Sequence, residues 1–316
     1  MIADAWYMVS EYRLNLGPND ALERVVHRLS EISHMKSSEK KEAILKYLAT
    51  CEDKEVIVLK RTLAQNVPYR LQAPFMASMK GKEWNRSGEK LAERINQEPR
   101  LIYYFLKFSG LNTRIQIQKE WADYIKQNHE IIQGWVELNM IQYLQRRNSS
   151  VPGIVEKLYP PRERNLEKVK KYWKMIVSIR PVHEIYGENL LNAKNISIDH
   201  FVPWSYVAHD ELWNLTPTTR SINNSSKSNS LPDWDAYFPV LCKSEYVSYE
   251  LLWEYPEIHE AFEICAREHL NNPEIRHRLY QKGLSEREFS GRLEEVIFPV
   301  YQSAKSMGFS NWSLKV

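Results

Sequence analysis

Apolar positions recur with a helical period over most of this chain. They fall every three or four residues over 21–29 and 43–48, which is the spacing of one face of an amphipathic helix. The same spacing predicts a helix over 90–108 and another over 118–147. The predicted fold class is therefore mainly α.

The helix predicted over 118–147 carries an aromatic-rich apolar stripe. At this spacing, aromatic side chains belong to a protein core far more often than to a ligand-binding surface. We therefore predict that the stripe is buried. It consists of Trp121, Tyr124, Ile125, Ile132, Trp135, Val136 and Leu144.

The C-terminal part of the chain also reads as helical. Leu231-Pro232-Asp233 ends one element and caps the next, and Ser285 with Glu288 forms a capping-box signature. Helices are predicted over 233–242, 246–254, 257–270, 273–282 and 285–307.

Between these helical regions the pattern changes to short strands. Asn195-Ile196-Ser197-Ile198 has strand propensity and ends at Asp199-His200, and a segment over 183–186 is its predicted hairpin partner. Pro203 stops regular pairing, and a helix is predicted to begin at Thr218 or Thr219. The polar stretch from Ile198 to Ser228 is thus expected to lie on a small α+β module.

Four segments follow from these patterns. We predict a helical N-terminal domain over 1–150 and a basic linker with a helix over 151–180. A small module over 181–232 and a helical region over 233–316 that packs on it complete the chain. The Pro- and polar-rich stretch over 148–162 marks the expected boundary.

Composition restricts the class of protein. The 316 residues are 43% hydrophobic and 26% charged, which is ordinary for a globular protein. Three distant cysteines without a C-x-x-C pair argue against a disulfide framework and a zinc ribbon. The chain has no apolar run long enough for a membrane span, and its N-terminus lacks a basic region. We expect a cytoplasmic protein.

The net charge of +3 is unevenly distributed. Nine Lys and Arg face three Glu over 146–174, whereas nine basic residues face fourteen acidic ones from Asp233 onward. A basic segment directly before the polar stretch favours a nucleic-acid partner, and a solvated helix face explains it equally well. The candidate contacts are Arg146, Arg147, Lys170 and Lys171.

The polar stretch contains the groups that phosphodiester hydrolysis requires. A histidine such as His200 can take a proton from water near neutral pH. A carboxylate such as Asp199 and the amide oxygen of an asparagine are oxygen ligands that suit Mg²⁺. Arg220 and Lys227 are candidates to contact phosphates.

This stretch resembles the HNH endonucleases, a family with a ββα-metal fold. Asp199-His200 is similar to the family's metal-ligating aspartate and base histidine. Asn214 is similar to the middle asparagine, which braces the loop and orients the histidine. Thr219-Arg220-Ser221 and Lys227-Ser228, with Pro232 beyond, look like the variant in RNA-guided CRISPR nucleases, whose third position is asparagine.

The resemblance leaves two candidates for the second metal ligand. Counted back from Lys227 the ligand is Asn224, which we prefer. Counted forward from Asn214 at the usual spacing it is Asn223. The family's zinc-knuckle cysteines are absent, so the module is expected to be held by packing of its aromatic residues: Trp204, Tyr206, Trp213, Trp234 and Phe238.

The resemblance implies a Mg²⁺- or Mn²⁺-dependent endonuclease that acts on DNA, most naturally double-stranded, without a membrane. The segment over 143–154 is similar to bacterial HNH proteins with a helical N-terminal region, many of which act in restriction or anti-phage defence. The alternative is a DNA-binding or scaffold subunit whose HNH module acts only with a partner or guide. A protein partner or a homodimer is compatible with both.

Overall fold

The computed structural model of the protein describes residues 1–17, 20–85, 88–160, 164–187, 189–220, 222, 227 and 229–314. The chain forms two compact units, Met1–Ser149 and Ser150–Val316. Helices predominate in both, and each sheet of the described residues has two strands. The predicted mainly α class with a small α+β part is confirmed. The division of the chain into four segments stays a prediction.

The first unit contains seven α-helices among its described residues and one antiparallel strand pair. One cluster of its core lies between the strand pair and the helix that precedes it, where Leu91, Ile95 and Tyr103 are buried. The elements are α1 (Ile2–Trp6), α2 (Ala21–Ser33), α3 (Lys41–Thr50), α4 (Lys54–Ala64), α5 (Gly88–Asn96), β1 (Tyr103–Lys107), β2 (Arg114–Ile117), α6 (Lys119–Gln127) and α7 (His129–Arg147).

Two helix predictions in this unit were wrong in extent. The helix predicted over 90–108 ends at Asn96, because Tyr103, Tyr104 and Phe105 are strand formers and pair with β2. The helix predicted over 118–147 is interrupted at Asn128. The Asn128 amide donates to the Tyr124 carbonyl at 2.9 Å, and such side-chain bonds compete with continued helix.

The prediction that the apolar stripe of α6 and α7 is buried was also wrong. Leu144 is buried, but Trp135 is 66% exposed, and Tyr124 and Val136 face solvent as well. Helical periodicity identifies an apolar face, but it does not report whether another element covers that face. The stripe is an exposed apolar surface of the first unit.

The second unit surrounds the predicted nuclease module with helices. The longest of them bury their apolar faces around Phe201, which lies against Trp234, Phe238 and Tyr301. The elements are α8 (Glu167–Ile179), β3 (Ile196–His200), α9 (Trp204–Val207), β4 (Leu215–Thr219), β5 (Leu231–Pro232), α10 (Trp234–Glu254), α11 (Pro256–His269), α12 (Pro273–Leu279), α13 (Glu286–Ser306) and β6 (Asn311–Trp312).

The C-terminal helices follow the sequence prediction with one change. The helices predicted over 233–242 and 246–254 are the single helix α10, which Asp233 caps by accepting from the Ala236 amide. The capping box of Ser285 and Glu288 at the start of α13 is confirmed. None of the helices in the described ranges is long and apolar enough to cross a bilayer.

Candidate active site

A strand pair positions the two residues at the centre of the motif. In β3, Ile196, Ile198 and His200 are buried, while Asp199 lies on the alternate, partly exposed face. Strand β3 pairs antiparallel with β4, with Asp199 opposite Thr216. This alternation follows from the two-residue period of a strand, so the Asp199 carboxylate and the His200 imidazole leave β3 on opposite faces.

The predicted partner of β3 was wrong. Residues 183–186 form only an isolated bridge between His183 and Leu190, and the partner is β4 (Leu215–Thr219). The helix was predicted to begin at Thr218 or Thr219; both threonines belong to β4, and Arg220 directly after them is helical. Threonine is β-branched and favours strands, so the threonines read as caps are strand residues.

Asn214 closes the loop that follows β3. Its side chain is fully buried; the Oδ1 atom accepts from the Val202 amide at 2.8 Å, and the Nδ2 group donates to the Val202 carbonyl at 2.9 Å. The Asn214 carbonyl accepts in turn from the Phe201 amide at 2.9 Å. These bonds fix the backbone directly after His200.

Asp199 is held by a cation and a phenol. Its Oδ2 atom lies 2.8 Å from the Nζ atom of Lys227 and accepts from the Tyr186 hydroxyl at 2.9 Å. Burial raises the pKa of Tyr186 well above its ordinary value, so its hydroxyl stays a donor. Lys227 is buried and also donates to the His200 carbonyl. Burial lowers the pKa of Lys227, opposed by Asp199.

His200 is buried between two charged partners. Its Nε2 atom lies 2.8 Å from Asp210 Oδ1, and its Nδ1 atom lies 3.1 Å from Arg164 Nη1. Burial lowers the pKa of the imidazole, and the hydrogen bond to Asp210 opposes that shift. The guanidinium of Arg164 also lies over the Trp204 ring at 5.3 Å.

Asp210 stays a carboxylate in this setting. Burial alone would raise its pKa, but the hydrogen bond with His200 and the positive charge of Arg164 together hold it below the ordinary value. The Arg164 Nη1 atom is 4.0 Å from Asp210 Oδ1. A carboxylate, an imidazole and a guanidinium therefore meet at the end of β3.

Sequence reasoning missed Asp210, Arg164 and Glu184. Asp210 lies between His200 and Asn214, and a carboxylate within the motif's loop was a usable signal. Arg164 lies within the basic segment that had been counted as a whole. Glu184 is fully buried and accepts from the hydroxyls of Thr218 and Thr219 at 2.9 and 3.1 Å, which no local pattern indicates.

The other predicted site residues are distributed over both units. Arg146 and Arg147 are exposed at the end of α7 in the first unit. In the second unit Lys171 is exposed and Lys170 is half-buried on α8, and Arg220 is exposed after β4. Lys227 was predicted to contact phosphate, but the structure places its ammonium in the interior on Asp199. Asn224 and Asn223 lie outside the described residues.

The donor chemistry suits a hard divalent cation. Among the described residues, no three His, Cys, Asp or Glu side chains are grouped to hold a metal. Mg²⁺ needs only one or two protein carboxylates and keeps several waters. Asp199 supplies a carboxylate of this kind, and the predicted amide ligand, Asn224 or Asn223, is of the right type.

Comparison with known proteins identifies this module. Residues 183–233 match the family model described as HNH endonuclease. A search of curated proteins and a search of solved structures each found no match. The match concerns the family, and the likeness to the CRISPR variant stays a prediction. An HNH domain indicates a nuclease that binds nucleic acid. The family predicted from the sequence is confirmed, and residues 183–233 of this chain form an HNH endonuclease domain.

Proposed function

We propose that this chain is a metal-dependent endonuclease that hydrolyses phosphodiester bonds of DNA and serves in restriction or anti-phage defence. The observation that carries the proposal is the joint placement of His200 and Asp199 at the end of β3, within a segment that matches the HNH endonucleases. Phosphodiester hydrolysis needs a base for water and a group that stabilises the leaving oxygen.

Each residue has a distinct part in the proposed reaction. His200 takes a proton from the water that attacks the phosphorus, and the bond from the phosphorus to the 3′ oxygen breaks. The products carry a 5′-phosphate and a 3′-hydroxyl. Asn214 holds the backbone after His200 through both polar groups of Val202. A Mg²⁺ or Mn²⁺ ion bound by Asp199 and Asn224, or Asn223 as the alternative, would stabilise negative charge at the departing oxygen.

Basic side chains on the surface support a DNA substrate. Arg220, Lys170 and Lys171 in the second unit, and Arg146 and Arg147 in the first, are proposed phosphate contacts. Each contact that is removed should weaken binding and reduce its salt dependence. Lys227 is not part of this set, because its buried ammonium is engaged by Asp199.

Replacing His200 tests the reaction directly. The purified chain is incubated with supercoiled plasmid and Mg²⁺, with and without EDTA, and in parallel with single-stranded RNA. We expect EDTA-sensitive nicking of DNA and a loss of about 10²- to 10⁴-fold in His200→Ala. The matched control is His277→Ala, which removes an exposed histidine of the same unit. Nicking by His200→Ala at the wild-type rate would contradict the proposal.

The positions of two positively charged side chains favour a second candidate function. In it, the chain is an HNH subunit that acts only with a partner or guide. Arg164 lies on His200 Nδ1, and Lys227 lies on Asp199 Oδ2. The base and the metal ligand are thus both engaged, and a partner or the substrate would have to draw the cations away. A wild-type chain that binds DNA but does not nick it under any metal condition would support this candidate.

A further inference from the structure

His200 stands between two groups that together determine which of its nitrogens carries a proton. The Arg164 guanidinium only donates hydrogen bonds, and its Nη1 atom lies 3.1 Å from His200 Nδ1. The Nδ1 atom is therefore the acceptor. The Nε2 atom must then carry the proton of the neutral ring and donate a hydrogen bond to Asp210 Oδ1 at 2.8 Å.

Asp210 is itself held firmly from the helical region of the second unit. Its backbone carbonyl accepts from His269 Nδ1 at 2.9 Å. The next residue, Glu211, is buried and accepts from the backbone and side-chain amides of Asn271 at 3.1 and 3.0 Å. The carboxylate of Asp210 is thus delivered to the imidazole by a loop that is anchored to α11 and the segment after it.

We propose that Asp210 is the positioning residue of His200. It accepts the Nε2 proton, fixes the ring orientation and leaves the Nδ1 lone pair as the basic atom of the site. This inference rests on the proposed nuclease function for its catalytic consequence, but not for its structural content. The motif found in the sequence does not include Asp210.

The exposure of Arg164 points to the side of the ring at which we place the reacting water. The side chain of Arg164 is 38% exposed, whereas that of His200 is 5% exposed. The half-exposed guanidinium of Arg164 therefore lies between the Nδ1 atom and the surface. A guanidinium of this kind binds phosphate. When a phosphate engages Arg164, the Nδ1 atom is free to take the proton of a water molecule, and the resulting positive ring lies beside Asp210.

The first measurement needs no activity. In protein labelled with ¹⁵N-histidine, long-range ¹H–¹⁵N correlations distinguish a ring protonated at Nε2 from one protonated at Nδ1, and His200→Gln identifies the signals of His200. We expect Nε2–H in the wild type and in Arg164→Ala, in which Asp210 alone selects the tautomer, and a mixture of tautomers when Asp210→Ala is combined with Arg164→Ala. A wild-type ring protonated at Nδ1, or an Nε2–H tautomer that persists in the double variant, would overturn the proposal.

The second measurement addresses catalysis. For Asp210→Ala we expect kcat to fall by on the order of 10- to 1000-fold, with KM and DNA affinity within about threefold of wild type. Asp210→Glu should recover part of kcat. Asp210→Asn keeps an acceptor without the charge and serves if the alanine variant does not fold. Glu260→Gln, an exposed acid of the same unit, is the control.

The two measurements separate the two proposals. A wild type that shows the Nε2–H tautomer but never cleaves nucleic acid refutes nuclease activity of the chain by itself and leaves the role of Asp210 in holding the ring intact. A wild type that cleaves, while Asp210→Ala keeps its kcat and the double variant with Arg164→Ala keeps the Nε2–H tautomer, refutes the positioning role alone.

Discussion

The two units of the chain differ in what they bury. Among the described residues, the second unit holds most of the buried polar side chains, including His200, Asn214 and Glu245. The first unit holds most of the large apolar side chains that face solvent, Trp135 among them. Burying a polar group is costly unless it is bonded. The second unit therefore holds the bonded polar side chains of the candidate site, and the first presents an exposed apolar surface.

Among polar side chains, the largest effect on stability is expected from the loss of one that is buried and fully bonded. Asn214→Ala leaves both backbone groups of Val202 without a partner, and we expect the free energy of unfolding to fall by about 3 kcal/mol. Urea titration measures this change. The plasmid assay should show a loss of nicking as well, because the backbone after His200 is no longer fixed.

Asn148 is a matched control in the other unit. It is buried, and it bonds the backbone amide and carbonyl of Asn15 at 2.8 and 3.0 Å. Asn148→Ala should cost a similar free energy in the first unit without changing the tautomer of His200. An Asn214→Ala chain as stable as wild type would show that the buried asparagine is dispensable.

Replacing a buried acid that lacks a partner on one oxygen should raise the free energy of unfolding, whereas Asn214→Ala lowers it. Glu245 on α10 is buried, with its Oε1 atom unbonded within the described residues. Burial raises its pKa well above 4.5. The folded chain then keeps a proton that the unfolded chain releases, so stability falls as the pH rises from the unfolded to the folded pKa, by about 1.4 kcal/mol per pH unit.

Glu245→Gln removes this dependence. Its gain in free energy of unfolding over wild type should grow as the pH rises above the ordinary carboxyl pKa of 4.5, measured by urea titration at several pH values. The phenols of Tyr172 and Tyr280, whose pKa values burial also raises, remain neutral over that range. A difference that is independent of pH would contradict the assignment.

The smallest effect is expected on the exposed stripe of the first unit. Trp135→Ala should change the free energy of unfolding by less than about 0.5 kcal/mol, because the side chain is already 66% exposed. The matched control is Trp173→Ala on α8, where the indole is buried and its loss should cost about 3–5 kcal/mol. A Trp135→Ala effect that varies with protein concentration would instead mean that a second copy covers the stripe.

Local sequence patterns predicted where helices and strands lie better than they predicted which elements pair or pack together. The strand propensity of Asn195-Ile196-Ser197-Ile198 correctly predicted the strand that ends at His200, and the capping box at Ser285 was also predicted correctly. Both are determined by residues a few positions apart. Strand β4 was missed because Pro217 and the threonines around it resemble a turn with a helix cap when read without a pairing partner.

The contacts of the site depend on residues that are distant in sequence. Arg164 lies 36 positions before His200, and Glu184 lies 34 before Thr218, so no periodicity connects them. The contacts of Lys227 likewise could not be predicted from its sequence neighbours. A lysine in a basic-looking frame was read as a phosphate contact, but only the folded chain shows that Asp199 and Tyr186 enclose it.

The clamp between Asn214 and Val202 has a consequence for how this chain can vary in length. Both polar groups of Val202 are bonded to one side chain, so residues 203–213 form a closed loop between fixed ends. A residue gained or lost in the middle of that loop need not alter either strand. A residue gained or lost within β3 or β4 would move every following side chain to the opposite face and turn His200 away from its partners. Relatives of this chain should therefore agree in the length of the strand pair, and any difference in loop length should keep Asp210 beside His200.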